Sequence, residues 1–303
     1  MSGTDLQPTA VRVCVSRDQL KIDIFVCLVH RTIILITPHA DSSGWQTRPM
    51  KISHVPARFP EIDLARGVAV IMMVVFHTAY DLRFLDIAPV NVYTGFFRLL
   101  ALSTAGLFLF LVGISLSISA AYAGARLTRR QFLMKYLIRG ALIFALGLGI
   151  TVVTWIFIPG MFVRFGILHL IGLAVMISPL YSRYSWQNLL LGAVFIALGP
   201  VVAGIRGSSW LLWSGIHPPA FASVDYTPIF PWMGVVLIGV CVGSVLYPLG
   251  NRRPGFSTLS FAPLEFLGRH SLALYLVHQP VIIAVLLLIF SGSIGVPFTV
   301  PWA

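Results

Sequence analysis

The stretch from Glu61 to Leu82, EIDLARGVAVIMMVVFHTAYDL, constrains the chain more than any other, because an apolar run of membrane length carries Asp63, Arg66, His77 and Asp81. At about 100° per residue these four side chains fall within about 60° of one another on a helix, a polar stripe along an otherwise apolar rod. A charged side chain in hydrocarbon costs at least ~2.5 kcal/mol, so the stripe has to face other helices or a wet cavity. That face is the candidate wall of an active site.

The rest of the chain agrees with a membrane setting. Of its 303 residues, 57% are hydrophobic and only 10% charged, and the mean hydropathy of +0.90 lies far outside soluble-domain composition. The expected fold class is all-α, a polytopic transmembrane helical bundle. The net charge of +11 does not point to nucleic acid, because the basic residues sit in short clusters between apolar runs instead of on one soluble face. Cys14, Cys27 and Cys241 have no spacing suited to zinc or to a disulfide framework.

Residues 1–55 differ in kind: mixed polarity, and an apolar segment from Ile24 to Thr37 interrupted by His30 and Arg31. About 14 residues cannot cross a ~30 Å hydrocarbon layer, and the flanks do not fit a signal peptide. This part reads as a poorly structured extension, with Met50 before Lys51 and Arg58 as an alternative start. Residues 56–292 form the membrane domain and 293–303 a short tail. Hydropathy predicts about seven spans, near 63–84, 93–121, 132–156, 163–182, 186–204, 228–249 and 264–290. Alternate connections carry Lys51 and Arg58, then Arg126, Arg129, Arg130 and Lys135, then Arg183, then Arg252 and Arg253. The others hold only Arg83 and Arg98, Arg164, and Arg206. The bias puts the N-terminus in the cytosol and the C-terminus outside, making this a multi-pass protein of the cell membrane.

That topology sets depths. His77 and Asp81 approach the outer boundary, and Arg66 stays about 16 Å further in. His169 in RFGILHLIG and His278 in HSLALYLVHQP reach a similar outer level, and Asp225 and Trp232 flank the loop before the sixth span. His77 and Asp81 stand one turn apart, so the carboxylate could orient the imidazole as a base; an inert interfacial pair is the alternative. His169 and His278 read equally as catalytic groups or as helix-packing histidines. With the three histidines on three helices, no metal site is expected. His217 and His270 read as solvated or capping residues. Arg139, one turn beyond Lys135, either snorkels to the inner headgroups or holds an anionic substrate group. Gly239 and Gly243 form a GxxxG that suits close packing inside the bundle or between two copies in a homodimer. No P-loop, dinucleotide or G-x-S-x-G pattern occurs.

Six ordered blocks, IDLARGVAVIMMVVFHTAYDL, FLFLVGISLSIS, KYLIRGALIFALGLGI, RFGILHLIGLA, DYTPIFPWMGVVLIGV and LEFLGRHSLALYLVHQPV, resemble the prokaryotic branch of the heparan-alpha-glucosaminide N-acetyltransferase catalytic-domain family, itself similar to the membrane acyltransferase 3 group. The resemblance covers roughly residues 58 to 290. It implies transfer of an acyl group, typically acetyl from acetyl-CoA, to a sugar or glycoconjugate acceptor. Position by position, its D-x-x-R-G block corresponds to Asp63, Arg66 and Gly67, and its F-H to His77, the catalytic base in acyltransferase 3 members. Its third-helix arginine, linked with coenzyme A or structure, corresponds to Arg139, and its R-x-x-x-L-[HQ] block to Arg164 and His169. The lysosomal enzyme has its essential histidine in the loop after the first helix. This chain has no histidine between His77 and His169.

The expectation is therefore an acyltransferase working on acyl-CoA without a metal. Its expected catalytic groups are His77, Asp81, His169 and His278, and its substrate-binding groups Arg66, Arg139, Arg164, Asp225 and Trp232. A proton-coupled transporter using the same histidines and aspartate as a relay is the competing class. Seven spans without visible self-similarity speak against it. An inert membrane scaffold is the third.

Overall fold

In a computed structural model, residues 59–253 and 259–290 are described. The expectations for residues 1–55, the start at Met50, Cys14, Cys27 and the 293–303 tail lie outside them. The described chain is all-α: α1 Pro60–Phe84, α2 Gly95–Gly124, α3 Arg129–Phe157, α4 Ile167–Tyr181, α5 Trp186–Gly204, α6 Ile229–Leu246, α7 Ala262–Arg269 and α8 Ser271–Phe290. Six of these (α1, α2, α3, α5, α6 and α8) are long and apolar enough to cross a membrane. With the shorter apolar α4 they make up the seven spans, so the protein is a multi-pass membrane protein.

Two boundaries differ from expectation. The span predicted over 264–290 is two helices, broken at His270, whose Nδ1 hydrogen-bonds the Phe266 carbonyl (2.8 Å) and closes α7. Hydropathy runs through this break because both pieces are apolar. The fourth span starts later, at Ile167, and its 15 residues reach only about 22 Å, short of a ~30 Å hydrocarbon layer.

The element that shortens α4 is an outer cap of non-helical chain. Such backbone survives at membrane depth only when it is satisfied within the protein. Here Val224 N–H donates to Met161 C=O (2.9 Å) and Thr227 N–H to Phe165 C=O (2.9 Å). Ser223 Oγ donates to Phe162 C=O (3.0 Å). Asp225 closes the seam: its Oδ2 accepts from Ile167 N–H at the start of α4 (3.0 Å) and from Tyr275 Oη of α8 (3.4 Å), and its Oδ1 from Thr227 Oγ1 (3.0 Å). Its charge also lies at the positive end of α4. Desolvation raises the Asp225 carboxyl pKa above its ordinary value, and these three hydrogen bonds oppose the rise.

The main core joins α2, α4 and α6 through Leu109, Leu170, Val236, Leu237 and Val240, with Tyr136 of α3 fully buried against them. Its hydroxyl meets Ser119 Oγ at 2.9 Å. Around this core α5 packs on α6, α3 on α4, α1 on α2, and α7 and α8 on α1. The Gly239 and Gly243 face is used inside the bundle: side chains there would meet the α2 backbone at Phe110 and Ile114.

At the end of the bundle expected to face the cytosol, α7 lies on α1 with almost no separation. A Cβ on Gly268 would stand 1.8 Å from Asp63 C=O, and one on Gly67 2.1 Å from Leu264 C=O. Charges lock the crossing. Arg252 donates to Glu61 through Nη2 (2.6 Å) and Nε (3.0 Å), joined by Tyr247 Oη (2.9 Å). Arg269 spans Glu265 (2.6 Å) and Asp63 (3.8 Å).

Two stability outcomes follow from this packing. Gly268→Val forces α7 off α1, an overpacking that costs about 1–3 kcal/mol; thermal unfolding in detergent should fall well below wild type, while Ala141→Val at an exposed position of α3 serves as a control. Asp225→Ala strands the Ile167 N–H and the Thr227 and Tyr275 hydroxyls, each worth about 1–3 kcal/mol when buried. Its midpoint should drop more than that of Asp225→Asn, which keeps one acceptor oxygen.

Candidate functional site

The outer half of α1 and the middle of α8 face one another through the polar stripe. The imidazoles of His77 and His278 meet edge to face with centroids 4.8 Å apart. Beside them Gln279 Nε2 donates to Asp81 Oδ1 at 2.7 Å. Asp81 is 1% exposed, as buried as an apolar core residue. The hydrogen bond expected from His77 to Asp81 is not made, because both side chains lean across the interface to α8 instead of along α1. Sequence reasoning missed Gln279, which carries no charge and stands out only as the neighbour of His278.

His278 has a defined tautomer. Its Nδ1 lies 2.7 Å from the Tyr275 carbonyl. A carbonyl only accepts, so Nδ1 carries the hydrogen and Nε2 of the neutral ring keeps a lone pair. Four buried atoms of this cluster have no hydrogen-bond partner within the protein: His77 Nδ1, Asp81 Oδ2, His278 Nε2 and Gln279 Oε1. Buried polar atoms are nearly always paired, and a group of exceptions on two facing helical turns makes this cluster the candidate site.

The remaining predicted residues divide. His169 is 2% exposed and spent on structure: its Nδ1 accepts from Gly166 N–H (3.2 Å) and its Nε2 faces Thr151 Oγ1 (3.4 Å). It reaches back over the first turn of α4 as a capping-box side chain does, packed between Phe144 and Phe165. Asp225 is the joint of the outer cap, and its link to the cluster runs through Tyr275, one turn before His278. Trp232 packs against the main core. The outer mouth expected at Asp225 and Trp232 is thus occupied by packing. A cavity of about 110 Å³ lies instead at the outer end of α1, lined by Tyr80, Arg83, Phe84, Val92, Tyr93 and Met161. Tyr80 and Phe84 follow His77 by three and seven residues, on the same face of the helix.

The arginines also separate. Arg66 donates to Asp63 (3.0 Å) and to Ser115 Oγ, so its charge is answered inside the bundle. Arg139 is exposed and has no ion pair among the described residues. It stands close enough to Arg66 for the two charges to act on each other. The Arg164 guanidinium lies over the rings of Phe162 (4.8 Å) and Phe221 (5.4 Å), and its buried Nε has no protein partner. Among the described residues, no three His, Cys, Asp or Glu side chains gather as a metal site requires.

Comparison with known proteins turns this arrangement into an assignment. No curated protein and no solved structure matches the chain. The family model described as heparan-alpha-glucosaminide N-acetyltransferase, catalytic, matches residues 58–280, most of the chain and every residue of the cluster. By that match the chain belongs to the heparan-alpha-glucosaminide N-acetyltransferase catalytic-domain family, a membrane protein of acetyltransferase type.

Proposed function

We propose that this protein is an integral acyltransferase of the cell membrane, moving an acetyl or other acyl group from acyl-CoA to a sugar or glycoconjugate acceptor. The observation that carries the reading is the facing pair His77 and His278, with unpaired ring nitrogens buried between α1 and α8. Neutral imidazole with a free lone pair is the usual general base near pH 7.

In this reading His278 Nε2 takes the proton from the acceptor O–H or N–H. The freed lone pair attacks the thioester carbonyl, the C–S bond breaks with its electron pair on sulfur, and the coenzyme A thiolate so formed takes up a proton to become the thiol. His77, edge-on to His278, either shares that proton or carries the acyl group between the two half-reactions. Donor entry from the cytosolic side fits Arg139, whose charge is unanswered by any carboxylate among the described residues, together with Arg126, Arg129 and Arg130 near the same end. Guanidinium groups suit the phosphates of coenzyme A. The acceptor enters from outside, past the Tyr80 and Tyr93 cavity and the ring-stacked Arg164. Asp63 and Arg66 lock α1 to its neighbours, Asp225 and His169 hold the cap, and neither pair touches the reacting groups.

Purified protein in nanodiscs, given acetyl-CoA with and without a panel of sugars, should release free thiol beyond one equivalent per protein only when an acceptor is present. A general base contributes about 10²- to 10⁴-fold. His77→Ala and His278→Ala should each lower turnover by that factor, and the double variant by little more than the worse single one, because groups that act as a unit are not additive. Thiol release that survives in the double variant removes this mechanism. Uptake of a labelled solute into proteoliposomes, lost in the same variants and indifferent to coenzyme A, would establish the transporter in its place. Arg139→Gln should raise the KM for acetyl-CoA several-fold with kcat nearly unchanged, the signature of uniform binding.

A further inference from the structure

α3 is longer than the hydrocarbon layer is thick. Its 29 residues reach about 43 Å, and about 20 residues counted inward from Phe157 fill the layer and bring its inner boundary to Ile138. Arg139 therefore stands at the inner edge of the hydrocarbon, and Lys135, one turn nearer the start of the helix, at the level of the headgroups. Both side chains are exposed. Met134, Leu137, Ile138 and Leu142 around them are exposed too, so this strip of α3 borders lipid. Lys135 is steadied by Tyr136, with its Nζ 5.5 Å from the centroid of that buried ring.

No carboxylate answers the two charges. From Ile87 to Val224 the sequence holds no Asp or Glu, and neither Lys135 nor Arg139 has an ion pair among the described residues. Arg139 acts on Lys135 and Arg66 alike, and only Arg66 has its own partner, Asp63. An unanswered charge at the edge of hydrocarbon is costly, so the counter-charge has to come from outside the chain. The two positions are about 6 Å apart along the helix axis, a spacing at which one phosphate meets both side chains. A zwitterionic headgroup would press its own ammonium against these cations, and an anionic headgroup does not.

We propose that Lys135 and Arg139 form a binding site for an anionic phospholipid of the cytosolic leaflet, its phosphate held between ammonium and guanidinium and its chains laid along Ile138 and Leu142. The site stands independently of the acyl-transfer reading. Coenzyme A phosphates share its chemistry at Arg139, so lipid and donor compete there.

The test uses the full chain in detergent and native mass spectrometry, which counts the lipids retained on the intact protein. Phosphatidylglycerol should bind at least about fivefold more tightly than phosphatidylcholine with the same chains. Lys135→Gln and Arg139→Gln together should bring the two lipids level, while Lys135→Arg, which keeps the charge, should keep the preference. Arg183→Gln removes a cation from another inner connection and should behave as wild type. Equal binding of the two lipids by the wild type, a preference that survives the double variant, or an equal loss in Arg183→Gln overturns the inference. Coenzyme A titrated into the same samples separates lipid from donor. A lost lipid preference with unchanged affinity for coenzyme A leaves the lipid site standing and takes Arg139 out of donor binding. A lost affinity for coenzyme A with the lipid preference intact does the reverse.

Discussion

The first backbone N–H groups of α4 cannot be left bare at membrane depth, and the way they are met arranges the outer half of the molecule. Asp225 takes the Ile167 N–H, and the His169 ring takes the Gly166 N–H. Once the carboxylate is seated there, its remaining capacity draws in Thr227 from the cap and Tyr275 from α8. Tyr275 thereby fixes the turn of α8 whose carbonyl orients His278. The capping of one helix is thus tied, through Tyr275, to the turn of another that holds His278. α8 packs mainly along α1, so this tie to the cap bears directly on where the site stands.

The two ends of α1 use the same kinds of side chain to opposite effect. Near its start, Glu61, Asp63 and Arg66 are answered by Arg252, Tyr247, Ser115 and Arg269. Charges so fully paired hold helices in register and leave little for a ligand. Near its outer end, His77 and Asp81 meet His278 and Gln279 but leave one polar atom each unpaired. Each unpaired group gives up about 1–3 kcal/mol. Folds keep such a debt where the group has work to do. Saturation, more than charge or burial, distinguishes the end of the helix that holds the candidate site from the other.

This distinction marks how far the sequence could be read. The helical class, the spans and the common face of Asp63, Arg66, His77 and Asp81 follow from periodicity and hydropathy, which are local properties. The convergence of His77 with His278 was also legible, from depth and topology. What was not legible depends on direction and partner. Hydropathy passes through the break at His270 because α7 and α8 are both apolar, although a glycine contact turns α7 along α1. Asp225, Trp232 and His169 carry the residue types of a site, yet their polar or apolar surfaces are consumed by neighbours far away in sequence. Gln279 was passed over for the converse reason: an uncharged amide gives no signal until its partner is known.

His169 and His278 show why residue type alone underdetermines chemistry in a membrane bundle. Both are imidazoles held by one backbone group close in sequence, yet one faces an N–H and the other a C=O. The N–H of Gly166 demands a lone pair from His169 Nδ1, so its hydrogen sits on Nε2 and is directed at Thr151. The Tyr275 carbonyl demands a hydrogen from His278 Nδ1, which leaves the lone pair on Nε2, in the interior and without a protein partner. The first arrangement closes a helix end and has nothing left to give. The second leaves an unshared lone pair on Nε2, in surroundings where reorienting the ring would break the bond that holds it. Only the second histidine can serve proton transfer without first undoing its own structural role.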